Sequence, residues 1–311
     1  MTALRLRLGT RASALARWQA DWVTARLTAG GAEVELVPIT TRGDAVQRDA
    51  IGNLGSPGVF TKELQRALLE ERIDLAVHSL KDLPTDVVEG LVLAAVPERE
   101  MTRDALISRE GKSLEELPQG AVMGTGSLRR RAQLLHLRAD LQMRDVRGNV
   151  DTRLQKLASG QYDALVLAEA GLKRLGLEGQ ITQLLEPEVL LPAVGQGALG
   201  IETRTQDAAA RAAVALFDHA VSHQAVLAER MLLATLCGGC LAPVGAWARL
   251  TAERLLRLDA VVLSADGGQR LSASGVASVE QALKLGADVA QDLIAQGASG
   301  LIQQSRGANF G

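Results

Sequence analysis

Arginine-bearing turns hold most of the chemistry this chain could do. Gly124-Thr125-Gly126-Ser127-Leu128-Arg129-Arg130-Arg131 and Arg147-Gly148-Asn149-Val150-Asp151-Thr152-Arg153 each read as the opening of a helix. Backbone N–H groups at a helix start favour anions, and arginine adds planar paired donors matched to carboxylate or phosphate. Two such turns in one region imply a ligand with several negative groups. Arg11 and Ser13 mark a third helix start; the plain reading of Thr10 or Ser13 is an N-cap, and capping does not exclude binding. Lys81-Asp82-Leu83-Pro84 follows a strand-like run, and the carboxyl ends of strands are where α/β sites form. There a lysine can hold the neighbouring aspartate ionised, with His78 and Ser79 as local support. Phe60 is either a core anchor or a ring that stacks on a ligand.

Other motifs are weaker. Gly195-x-Gly197-x-x-Gly200 fits the dinucleotide fingerprint in letters, but Pro192 precedes it and a strand-like run follows. It reads as a crossing between domains. His219-x3-His223 and Cys237-x2-Cys240 suggest a zinc site, yet the intervening helix would separate His223 from Cys237 by ~21 Å. No metal site is expected. A redox role for the two cysteines lacks the strand context that such a motif needs.

These residues need a scaffold of alternating strands and helices, and the pattern supplies one. Strands are predicted over Leu4–Leu8, Glu33–Ile39, Asp74–His78 and Leu91–Val96, with helices over Ser13–Leu27 and Thr61–Glu71. Arg42–Gly58 is polar, glycine-containing and aperiodic, so it reads as a mobile loop. The middle repeats the alternation. Strands are predicted over Ala105–Ser108, Ala121–Met123, Leu141–Val146 and Asp163–Leu167, the last with the apolar look of a buried parallel strand. Helices are predicted over Ser127–Leu137, Val150–Ala158 and Glu169–Leu175. A short strand follows the glycines, then a helix from about Gln206 and a long helix over His219–Leu236. The final part changes character, with strands Pro243–Leu250, Arg257–Ser264 and Arg270–Ala273 and one helix, Val279–Gln296. No internal repeat stands out.

Composition bounds the function. The 311 residues exceed one ordinary core, so two or three domains are expected. A net charge of −2 makes the chain as a whole no nucleic-acid polycation. The start of the sequence lacks a signal-peptide core and no window has the apolar length of a membrane span, so a cytoplasmic protein is expected.

The motifs also occur in a recognisable order. Thr10-Arg11-Ala12-Ser13, Thr41-Arg42-Gly43-Asp44, Phe60-Thr61-Lys62-Glu63-Leu64 and Ala76-Val77-His78-Ser79-Leu80-Lys81-Asp82-Leu83-Pro84 come first. Ser127-Leu128-Arg129-Arg130, Arg147-Gly148-Asn149-Val150, Gly171-Leu172-Lys173-Arg174-Leu175-Gly176, Leu191-Pro192-Ala193-Val194-Gly195-Gln196-Gly197 and Gly238-Gly239-Cys240 follow. Together they resemble the porphobilinogen deaminase family, from about Arg5 to Cys240 and more weakly beyond.

The resemblance implies an α/β fold: two solute-binding-protein-like lobes (periplasmic-binding-protein type II) and a small α+β C-terminal domain. The implied domains are 1–98 with 198–217, 99–197, and 218–311. It implies a transferase that joins four porphobilinogens head to tail with loss of ammonia and releases hydroxymethylbilane by hydrolysis. It implies a dipyrromethane cofactor linked through a thioether to Cys240 and held by Lys81, Asp82, Ser13, Thr125, Ser127, Arg129, Arg130 and Arg153. Arg11, Ser13, Phe60, Arg147, Arg153 and Arg174 would take substrate, with Asp82 catalytic. A monomer acting on a small molecule is expected, with no nucleic-acid or membrane partner. The rival reading is a non-catalytic two-lobed binder of a polycarboxylate.

Some positions depart from the family pattern. Ser56-Pro57-Gly58 stands where many relatives carry lysine, Gly126 replaces a hydroxyl residue, and Cys237 adds a thiol. Asp151, where glycine is common, either partly neutralises Arg147 and Arg153 or caps the helix.

Overall fold

The computed structural model describes residues 4–39, 61–237 and 242–307. The loop Arg42–Gly58, Phe60 and Cys240 lie outside the described residues. The chain divides into two compact units, residues 1–99 with 198–223, and residues 100–197 with 224–311.

In the first unit, strands β1 (Arg5–Thr10), β2 (Glu33–Pro38) and β3 (Leu75–Ser79) run parallel, and β4 (Leu91–Ala95) lies at the far edge. Between β3 and β4 sits a strand from much later in the chain, Leu199–Arg204, antiparallel to both. Helix α1 (Ala14–Ala29) buries Ala20, Val23 and Leu27 against the sheet, and α2 (Lys62–Leu69) buries Leu64, Ala67 and Leu68.

The second unit repeats this arrangement. Its sheet contains β5 (Asp104–Ser108), β6 (Val122–Gly124), β7 (Gln142–Arg144), β8 (Ala164–Ala168) and β9 (Gln183–Leu185), in the order β7-β6-β8-β5-β9. The first unit's order, with Leu199–Arg204 as β10, is β2-β1-β3-β10-β4. In both sheets the fourth strand runs against the first three. This shared order is an internal repeat that the residues themselves do not display. It also corrects the reading of β8, which is parallel to β6 on one side and antiparallel to β5 on the other.

Helices α3 (Leu128–Leu137), α4 (Val150–Ala158) and α5 (Glu169–Arg174) belong to this second sheet. Ser127 and Asn149 cap the first two, accepting from Arg130 N at 3.4 Å and Thr152 N at 3.0 Å. A cap of this kind contributes about 1 kcal/mol. Beyond α6 (Ala208–Ala215) and α7 (Ala220–Thr235) comes an antiparallel sheet of β11 (Val244–Leu250), β12 (Leu256–Leu263) and β13 (Arg270–Ala277). Its core is closed by α8 (Ala282–Ala295) and α9 (Ala298–Gly307). The sequence reading missed β9 and α9 and set β13 four residues short. Among the described residues no helix is long and apolar enough to cross a membrane. The architecture is α/β with a small α+β C-terminal region.

Candidate active site

In the first unit, β1 and β3 are parallel neighbours, so their carboxyl ends emerge at one edge of the sheet. Arg11 and Ser13 follow β1, and the 3-10 turn Leu80–Asp82 follows β3. Ser13 Oγ accepts from Ala16 N at 3.3 Å, so the hydroxyl does cap α1. A pocket forms there, lined by Arg11, Ser13, Gln19, Thr61, Ser79 and Asp82 among others. Asp82 is exposed within this lining, and Lys81 beside it is half-buried. Behind the turn, buried Gln19 donates from Nε2 to Ser79 Oγ at 2.7 Å. His78 Nε2 lies 2.8 Å from Glu202 Oε2, and Gln65 Nε2 donates to Glu202 Oε1 at 3.1 Å. Three elements thus fix the strand end that carries Lys81 and Asp82.

The second unit gathers the other arginines. Asp104 is wholly buried and takes both Arg129 and Arg130. Arg129 Nη2 donates to Oδ2 at 2.8 Å, and Arg130 Nε and Nη2 donate to Oδ1 at 3.0 and 2.7 Å. Gln196 Nε2 adds a fourth donor at 2.9 Å. Arg129 Nη1 and Arg130 Nη1 reach the carbonyls of Leu191 and Val166 at 2.6 and 3.0 Å. Burial alone would raise the Asp104 carboxyl, but the two guanidiniums outweigh it and hold it well below the usual carboxylate range. Two cations share one anion here, which leaves an excess positive charge in a buried place. Arg129 Nε is also buried with no hydrogen-bond partner among the described residues. A ligand carboxylate beside this cluster would supply the missing negative charge, so the residues fit a carboxylate-bearing dipyrromethane. Thr125, also buried, accepts from Ser127 N at 3.2 Å and shapes the turn.

Arg147 and Arg153 meet around the Gly148 turn, where φ is +112°. Arg153 Nε donates to Gly148 O at 2.8 Å, and Arg147 Nε donates to Asp145 Oδ2 at 2.6 Å. Arg174 ends α5 and donates from Nη2 to Gly197 O at 2.7 Å. Burial lowers its guanidinium to about 10, still charged at neutral pH. Asp151 is exposed and makes no ion pair among the described residues, while Asn149 provides the cap. Asp151 therefore does not cap the helix.

The glycine motif binds protein groups. Gly195 N donates to buried Glu229 Oε2 at 2.7 Å, and a Cβ on Gly197, at φ +84°, would strike the Glu100 and Met101 carbonyls. The helix histidines have local partners: His219 Nδ1 is 2.8 Å from Ser222 Oγ, and His223 Nδ1 is 2.8 Å from Asp218 Oδ1. Cys237 is exposed. Asp104 and Gln196 are the residues that the sequence reading missed. Their signals were an aspartate opening the apolar run Ala105–Ile107 and a glutamine between two glycines.

Comparison with known families settles what this scaffold is. A family model described as porphobilinogen deaminase, dipyromethane cofactor binding domain, matches residues 6–212. A second, the porphobilinogen deaminase C-terminal domain, matches residues 223–295. This chain belongs to the porphobilinogen deaminase family. A family member from Brevibacillus brevis, named porphobilinogen deaminase, is 45% identical over 300 residues, covering 96% of each chain. The family is one of transferases with a dipyrromethane cofactor. Among solved structures, the methionine binding protein MetQ is similar at 17% identity and a TM-score of 0.44, over 71% of this chain and 90% of that one. A Salmonella typhimurium periplasmic binding protein with high arginine specificity is 14% identical with a TM-score of 0.40, over 69% of this chain and 93% of that one.

Proposed function

We propose that this chain joins four porphobilinogens head to tail with loss of ammonia and releases hydroxymethylbilane by hydrolysis, with Asp82 as its catalytic residue. One observation carries the assignment of Asp82: its exposed carboxylate shares a pocket with Arg11 and Ser13 at the paired ends of β1 and β3. The dipyrromethane, bound through Cys240, supplies the primer from which the chain of pyrroles grows. Lys81, Asp82, Ser13, Thr125, Ser127, Arg129, Arg130 and Arg153 would hold its carboxylates and ring N–H groups.

Each porphobilinogen brings an acetate and a propionate, and Arg11, Arg147, Arg153 and Arg174 take these as charge-assisted pairs. Ser13 adds a hydroxyl, and Phe60 a ring face. When the aminomethyl carbon–nitrogen bond of the substrate breaks, ammonia leaves and positive charge develops on the pyrrole. Asp82 stabilises that charge, accepts from the pyrrole N–H and assists proton transfer. The turn that carries it is braced by the Ser79–Gln19 hydrogen bond, so less reorganisation is needed as the charge forms.

The proposal assigns three domains: 1–98 with 198–217, 99–197, and 218–311. It also holds the enzyme to be a cytoplasmic monomer without nucleic-acid or membrane partners, and light scattering at one chain mass checks the monomer. The test of Asp82 is single-turnover kinetics of Asp82→Asn. Loss of a preorganised charge typically costs ~2.7–4 kcal/mol, or about 10²–10³ in rate. Turnover near that of the wild type would reduce Asp82 to a loop residue.

A further inference from the structure

The two arginine-loaded helix starts share one acidic neighbour that neither motif contains. Asp145 follows β7, between them. Its Oδ2 accepts from Arg147 Nε at 2.6 Å. Its Oδ1 packs on the other turn, 3.1 Å from where a Cβ on Gly126 would stand. Val146 O lies equally close to that point, so a side chain at position 126 would need the carboxylate and the strand end to give by a few tenths of an ångström. Tyr162 Oη donates to Asp145 O at 2.8 Å, fixing the backbone from β8's side. The absence of a side chain at Gly126 therefore leaves room for the Asp145 carboxylate.

Arg147 and Asp145 are both largely open to solvent, with side-chain exposures of 58% and 43%. A pair this exposed is weak, worth a few tenths to one kcal/mol in general. It is strong enough to bias a guanidinium and weak enough to be exchanged. An incoming carboxylate competes for the same planar donors.

We propose that Asp145 is a positioning residue that acts as a resident counter-anion: it holds Arg147 until a carboxylate of porphobilinogen displaces it, and so sets the apparent affinity for substrate. This rests on the reading of Arg147 as a substrate contact. Exchange of one carboxylate for another leaves the net charge at Arg147 unchanged, so the arginine is never left bare between turnovers. The cost is a weaker grip on substrate than Arg147 alone would give.

The test is the KM for porphobilinogen at low ionic strength in Asp145→Asn, Arg147→Leu and the double variant. The expected result is a fall in KM of about two- to fivefold in Asp145→Asn, the equivalent of roughly 0.4–1 kcal/mol at 1.4 kcal/mol per tenfold. Asp145→Asn should have no effect in the Arg147→Leu background. An independent readout is peptide-mapped modification of Arg147 by phenylglyoxal, which should accelerate severalfold once the carboxylate is gone. A purely structural role for Asp145 would leave KM unchanged or raise it, and either result overturns the proposal. If Arg147→Leu itself left KM at the wild-type value, the reading of Arg147 would fail and the proposal with it. A raised KM in Arg147→Leu with no gain in Asp145→Asn would sink the counter-anion alone.

Discussion

Asp104 is the buried anion shared by Arg129 and Arg130 in the second unit, and Asp104→Asn measures what that sharing is worth. The carboxylate accepts four donors, three of them from guanidiniums, in a place closed to solvent. The amide keeps one acceptor oxygen but turns an N–H₂ toward the other arginine, setting donor against donor. It also leaves two buried cations with no anion. Breaking a buried pair by removing one partner costs about 3–5 kcal/mol, and two cations on one anion put this case at the upper end. The site is local, so hydrogen exchange read on peptides covering 128–137 and 164–168 is the assay. Protection there should fall by ~3–5 kcal/mol. The pH dependence has a definite sign. Because the folded carboxyl lies below its unfolded value of about 3.9, its contribution is fully present above that pH and is lost as pH falls through the folded value. The gap between wild type and Asp104→Asn should be flat from about pH 5 to 8 and narrow below about pH 4. A gap under about 1 kcal/mol at neutral pH would refute the reasoning, because that is the range of a surface pair.

Two further outcomes follow from the same geometry. Gly197→Ala adds a methyl group against the Glu100 and Met101 carbonyls at φ +84°, so thermal stability should fall by about 1–3 kcal/mol; an unchanged Tm would contradict the close approach. The arginines should divide by role: Arg129→Leu or Arg130→Leu leaves Asp104 with one balanced partner, so the fold survives but the protein should be isolated without cofactor. Arg11→Leu and Arg147→Leu should load cofactor and stall in elongation, each losing a charge-assisted contact worth roughly 1.5–3 kcal/mol. Equal activity loss at full cofactor occupancy in all four would remove that division.

What the residues disclose by themselves is local. Ser127 and Asn149 announce their helices because the cap bond spans three residues, and α4 spans Val150–Ala158, as the pattern predicts. The ends of β1 and β3 are legible for the same reason, which is why Arg11, Ser13, Lys81 and Asp82 could be picked out together. Long-range pairing is not legible. Leu199–Arg204 reads as a strand, but its insertion between β3 and β4 depends on partners more than a hundred residues away. Three-residue β9 is too short for a periodic signal. Asp104 looks like the polar edge of an apolar run until Arg129, Arg130 and Gln196 close on it. Asp151 looked like the acid among the arginines by spacing, whereas the turn after β7 brings Asp145 to Arg147 instead.

The most direct measurement of the central claim is the intact mass of the purified protein, followed by peptide mapping of the two cysteines. A porphobilinogen-polymerising enzyme primed at Cys240 should exceed its sequence mass by one dipyrromethane and give the dipyrrole colour with acidic dimethylaminobenzaldehyde. Cys240→Ser should lose the added mass, the colour and the conversion of porphobilinogen together, and Cys237→Ser should keep all three. Active protein at the bare sequence mass, or an adduct mapped to Cys237, would contradict the account.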